Sequence, residues 1–194
     1  MEIVRIFGDV SGDSADGLYA IKYDGDKRNE YGNFIELGED VQKLFSFFKE
    51  NLDDLNGPFY NGISLNNAVM QTIDEVREIE RMILELKRSG NYQNLQFLFK
   101  PLNDLDGKIF QLQKSKSKAN LKKVKHPWVR IYAIRIDRSA YVITGSTIKL
   151  TKGMKERPHT QKELDKFDKA MNFLKDNGIL STDDLIYYYD NIEE

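Results

Sequence analysis

Arg130, Tyr132 and Lys149 are the residues whose types and spacing best suit chemistry in this chain. Arg130 and Tyr132 lie two apart in the β-type run Trp128–Asp137. Alternation puts them on one face with Trp128, Ile134 and Ile136, and puts Val129, Ile131, Ala133 and Arg135 on the other. In the following run, Tyr141–Leu150, Tyr141, Ile143, Gly145, Thr147 and Lys149 share a face. A guanidinium, a phenol and an ammonium meeting on one sheet surface can hold a phosphate, and an indole beside them can stack a base. The plainer alternative makes Trp128 and Tyr132 core residues, with Arg130 in a salt bridge. His126 and His159 are the only two histidines, and imidazole is the side chain that titrates near neutrality. Either suits a proton-transfer role, and His126, ahead of Pro127, equally suits a turn. Two histidines and no cysteine do not make a metal site, so no metal or other cofactor is expected.

Charge concentrates around these residues. The whole chain has 29 basic and 31 acidic residues, yet Gly107–Arg157 alone carries fourteen Lys and Arg against two acids. Basic side chains on a sheet suit a phosphate backbone, although lysines also keep sheet edges soluble. Lys122, Lys123 and Lys125 sit in a lysine-laden loop, and Lys152 and Lys155 in a second basic loop. Lys114, Lys116 and Lys118, alternating with Ser and Ala, read as part of a flexible basic finger. The acidic stretch 158–194, with four basic and nine acidic residues, is expected to lie near this surface and moderate access to it.

The elements that must position the site follow from periodicity. Short β-type runs at Glu2–Phe7 and Leu18–Tyr23 flank a turn-rich loop, and DGDKRNEYGN reads as a second turn-rich stretch. GDVSG lacks the Gly-Lys-Ser/Thr ending of a phosphate loop. From Glu39 to Leu55 the apolar residues recur at helical spacing, and Gly57-Pro58 stops that helix. Ser64 caps a long helix to about Arg88, closed by Gly90, with an apolar stripe from Leu65 through Ile83 to Leu86. That stripe suits the core of a helical hairpin better than the seam of a coiled-coil homodimer. Glu75 falls on the charged face read as exposed. LQFLFK, Lys108–Lys114 and the two long runs make a mainly antiparallel sheet of about four strands. Thr160 and Glu163 have the spacing of a capping box for a helix ending at Gly178, and a short acidic helix follows.

The expected fold is therefore α+β: a helical hairpin on an antiparallel sheet, with an N-terminal β extension (1–38), a core (39–157) and C-terminal helices (158–194). No window approaches the ~20 apolar residues of a membrane span, and MEIVRIFGDV lacks the pattern of a signal peptide. With no cysteine, a cytoplasmic location is expected.

The stretch LNDLDGKIFQLQ, a basic loop, VRIYAI, a turn, YVITGSTIKLTKGM and a following helix resembles the RelE/HigB-like toxins of bacterial toxin–antitoxin pairs. The resemblance covers about residues 39–175. Gln113 stands where that family often has Arg, and no C-terminal catalytic Tyr aligns. What the resemblance implies is metal-independent mRNA cleavage on translating ribosomes, restrained by an antitoxin protein, expected to be of helix-turn-helix type. Arg130 and Lys149 would then neutralise the phosphate with Lys152 in support, and the lysine loop would hold the RNA backbone. A non-catalytic RNA- or protein-binding domain on the same scaffold, or a gyrase inhibitor like the ParE members of the superfamily, are the alternatives.

Overall fold

The computed structural model describes residues 1–8, 14–60, 62–103 and 111–191. The GDVSG loop beyond Gly8, the turn after Asn103 and the first part of the Lys108–Lys114 run lie outside the described residues. The fold is α+β, with seven helices and a six-stranded mixed sheet among the described residues. The strands are β1 (Glu2–Gly8), β2 (Gly17–Lys22), β3 (Lys100–Pro101), β4 (Gln113–Ser117), β5 (Val129–Asp137) and β6 (Ala140–Ile148). They lie in the order β1-β2-β6-β5-β4-β3, antiparallel except where β2 runs parallel to β6. The N-terminal strands are thus hydrogen-bonded members of the main sheet. Gly17 N–H donates to the Ser139 carbonyl at 2.7 Å, which ties β2 to the β5–β6 turn.

Both faces of the sheet are covered. Helices α1 (Glu30–Glu39), α2 (Val41–Glu50), α3 (Leu52–Asn56) and α4 (Leu65–Ser89) bury one face, with Val129, Ile131, Ala133, Tyr141 and Ile143 beneath them. Helices α6 (Pro158–Asp176) and α7 (Thr182–Asp190) bury the other, over Tyr132, Ile134, Ile136 and Val142. Burying side chains of this size stabilises the fold by about 1.5–3 kcal/mol each, which is why both layers hold. The helices therefore sit on two sides, where the hairpin reading put the main layer on one. The apolar stripe of α4 is spent within the chain, since Val69, Ile73, Val76, Ile79 and Ile83 are all buried. Ser64 Oγ accepts from Asn67 N, and Gly90 ends α4 at φ 64°, as the cap residues require.

Four local expectations are corrected. α1 begins inside the stretch read as turns and runs past it to Glu39, because Asn29 Oδ1 accepts from Gly32 N at 2.9 Å and starts the helix. LQFLFK is not a strand: Leu95–Leu98 is a short helix, α5, that buries Leu95 and Phe99 four residues apart. The supposed basic finger begins as β4, a packed strand with Gln113, Ser115 and Ser117 facing inward. Finally, α6 starts at Pro158 without a side-chain cap. Thr160 Oγ1 instead donates to the carbonyls of Met154 and Arg157, and the capping box is at Ser181–Asp184.

Candidate functional site

β4, β5 and β6 bring Lys116, Tyr132 and Gly145 side by side, since Lys116 faces Tyr132 and Tyr132 faces Gly145 across the ladder. Arg130 faces Thr147 one rung on. β6 skips Thr144 in its pairing, and this bulge changes which side chains share a face. Tyr141 and Ile143 go to the α4 side, whereas Gly145, Thr147 and Lys149 join Arg130 and Tyr132. Arg130, Tyr132 and Lys149 therefore do line one cleft, of about 1070 Å³. Lys152 and Lys155 line it too, and Lys100, Lys116 and Lys118 add three cations that sequence reasoning had not assigned to a site. No Asp or Glu lines it among the described residues. So many like charges on one concave wall make a strongly positive potential there.

Tyr132 forms the floor. Only 1% of it is exposed, its ring lies edge-on to Phe167 at 5.4 Å, and its hydroxyl has no partner among the described residues. Burial pushes the phenol well above its usual range, so it stays protonated and remains a donor. Lys149 is half-buried, and its Nζ donates to the carbonyls of Thr151 and Lys152 at 2.7 and 2.6 Å. Those bonds fold the basic loop back over the cleft. Burial, and then the neighbouring Arg130 charge, hold the Lys149 ammonium below its usual value. The far end of the loop is tied down by Arg157, whose Nε donates to Asp54 at 2.9 Å.

The start of β5 is held from α4. Glu75 Oε2 accepts from the backbone N–H groups of Trp128 and Val129 at 2.8 and 2.7 Å. Trp128 Nε1 donates to Thr72 Oγ1 at 2.9 Å, and Gln71 Nε2 donates to the His126 carbonyl at 3.3 Å. Glu75, read as exposed, is wholly buried. Trp128 is buried too, against Phe48 and Tyr60, because β5 begins at Val129 and the indole turns away from the cleft. It cannot stack a base.

The remaining expected site residues lie elsewhere. The His126 ring packs on Phe59 at 4.2 Å. His159 Nε2 is 3.0 Å from the Ile148 carbonyl, its ring meets Phe47 edge-on, and burial lowers its pKa. It borders a separate pocket of about 300 Å³ with Glu30 and Lys166. Neither histidine lines the basic cleft. Lys122 and Lys123 border a groove against Asp74 and Glu78 of α4, and Lys125 is exposed. The acidic α7 does not cover the cleft. Tyr189 Oη donates to the Ile3 carbonyl at 2.9 Å, which docks α7 on β1 at the opposite edge of the sheet.

Gly145, beside Tyr132, is required by a close approach. A Cβ there would fall onto the Glu163 carboxylate, which is buried and 3.3 Å from Lys166 Nζ. Gly145→Ala is expected to destabilise the fold by about 2 kcal/mol through overpacking. In a Glu163→Ala background, the same change should cost little. Denaturation midpoints of the two singles and the double check this; equal costs in both backgrounds would disprove the contact.

No model of a known protein family matches the chain, and no solved structure matches it. It is similar to a segment of a Plasmodium falciparum protein named dynein heavy chain-like protein 2, at 25% identity over 199 residues. The alignment covers 89% of this chain and 3% of that protein. Among the described residues, no helix is long and apolar enough to cross a membrane.

Proposed function

We propose that this chain is an RNA endonuclease of the RelE/HigB-like type that cleaves through the ribose 2′-hydroxyl. The observation that carries this is the cleft itself, with seven cationic side chains, no acid among the described residues and a buried phenol on its floor. In the reaction the 2′-oxygen bonds to the adjacent phosphorus and the bond from phosphorus to the 5′-oxygen breaks, leaving a 2′,3′-cyclic phosphate. Arg130 and the surrounding lysines offset the charge that builds on the phosphorane. Lys149, with its depressed pKa, accepts the 2′-hydroxyl proton, because a neutral amine still has two N–H bonds for Thr151 and Lys152. Tyr132, kept neutral, is the group with a proton for the leaving 5′-oxygen. The ribosome, the translated mRNA and a helix-turn-helix antitoxin are the partners this reading implies.

One observation favours a second reading, RNA binding without cleavage: both histidines lie outside the cleft. Purified protein incubated with single-stranded RNA, with and without translating ribosomes, separates the two by mapping new RNA ends. Cleavage ending in cyclic phosphate is expected. Arg130→Ala should weaken RNA binding roughly tenfold and reduce the salt slope by about 0.7, one phosphate contact on a single strand. Binding without new ends supports the second reading, and no binding at all defeats both.

A further inference from the structure

Trp128 is sealed in the core, yet the basic cleft does have an aromatic ring at its rim. Phe97 on α5 is 64% exposed and lines the cleft. Its neighbours explain why it faces out: Leu95 and Phe99 are the buried pair of that turn, 0% and 1% exposed, and Phe99 stacks on Tyr141 at 5.2 Å. The ring is carried on a helical turn anchored by that buried pair. Lys100 Nζ stands 5.3 Å from its centroid.

The sheet places this ring at the end of a line of groups. Lys100 faces Lys116, Lys116 faces Tyr132, and Tyr132 faces Gly145, so one rung crosses four strands. With strands about 4.8 Å apart, Lys100 is about 10 Å from Tyr132 along that rung. An exposed ring, two ammonium groups and a buried hydroxyl follow one another across the cleft. A stacking surface followed by cations is what an unpaired nucleotide and its phosphates require.

We infer that Phe97 is the base-stacking platform of the cleft, and that the cleft takes single-stranded polynucleotide without help from a larger assembly. One nucleobase lies on the Phe97 ring while Lys100 and Lys116 hold the phosphates that lead down to Arg130 and Tyr132. A base inside a duplex is already stacked on both faces and cannot occupy the ring. The inference rests on the RNA reading of the cleft and adds to it a specificity-determining residue and a strandedness.

The test is fluorescence anisotropy with a short labelled 2′-O-methyl oligonucleotide, whose blocked 2′-oxygen prevents cleavage. The same sequence as a duplex, and a strand of equal length with abasic positions, serve as comparisons. Wild type should prefer the intact single strand. Phe97→Ala should weaken that binding about 10- to 100-fold, leave the duplex and abasic strands unchanged, and keep the salt slope, since no phosphate contact is lost. Phe97→Trp should restore it. The ring is exposed, so these variants keep the core intact. Equal single-strand affinity for wild type and Phe97→Ala overturns the inference and leaves the RNA reading standing. If wild type binds none of the three probes, the inference fails, whereas the RNA reading stands or falls on cleavage in the presence of translating ribosomes.

Discussion

Glu75→Ala is expected to lower stability by about 4 kcal/mol, because it strips the acceptor from two buried backbone N–H groups at once. Trp128 N and Val129 N both donate to one oxygen of this carboxyl group, and Val129 is the first residue of β5. Thr72 Oγ1 is not free to replace that acceptor, since it already accepts from Trp128 Nε1 and donates to the Ala68 carbonyl. Arg130 follows directly, so the loss also loosens the residue assigned to the phosphate. Glu75→Gln keeps an acceptor oxygen in the same place and should cost far less. Urea unfolding of the three proteins measures this. An alanine variant within about 1 kcal/mol of wild type would show that the α4–β5 clamp does not hold the strand.

The same group makes stability depend on pH. Burial pushes the Glu75 carboxyl up to about 7, and burial does the same to Glu163. Both start from an ordinary value of 4.5 in the unfolded chain, so the folded state favours the protonated forms. The stability that their protonation adds is complete below pH 4.5 and fades as pH rises to about 7, above which it is gone. Each carboxyl accounts for about 3 kcal/mol over that window. Thermal melts from pH 4.5 to 8 should show a falling Tm that Glu75→Gln flattens by about half. A Tm that rises across the window would refute the assignment.

The parts of the fold that were legible in the sequence are those where one signal dominates. α4 has a cap, a stripe and a left-handed glycine, and all three agree. β5 and β6 alternate strongly, and the pairing of Arg130 and Tyr132 with Gly145, Thr147 and Lys149 survives the bulge at Thr144. What misled is equally physical. Gly25 and Gly32 read as turn residues, but Gly32 lies in α1, whose second glycine, Gly38, makes room for Val76 of α4, 2.8 Å from where its Cβ would be. LQFLFK satisfies both periodicities over so short a run, and helix wins because Leu95 and Phe99 are both buried. β4 hides its inward face behind Gln113, Ser115 and Ser117, which carry no apolar alternation. Three cleft lysines were missed with it, as was the partnership of Phe97 with Lys100, since neither β3 nor α5 was recognised. Trp128 was misplaced by one residue of strand boundary, enough to send its side chain to the opposite face.

Lys149→Arg is expected to cut RNA cleavage by about 10²- to 10⁴-fold while leaving RNA affinity near wild type. Arginine keeps the positive charge and can still donate to the Thr151 and Lys152 carbonyls, so the basic loop stays folded over the cleft. It cannot give up its proton in the accessible pH range, and so cannot accept one from a 2′-hydroxyl. Lys149→Ala is the less informative change, because it removes the loop anchor along with the base. The pH profile supplies an independent readout. Burial and the Arg130 charge lower the Lys149 pKa, so the neutral amine, the active form of a base, becomes populated at lower pH than for an exposed lysine. Wild-type cleavage should therefore climb with pH and level off below the range of an ordinary lysine, and Arg130→Ala should shift that plateau to higher pH. A Lys149→Arg protein that cleaves at the wild-type rate would assign the proton transfer elsewhere. The cationic cleft would then act by charge and positioning alone.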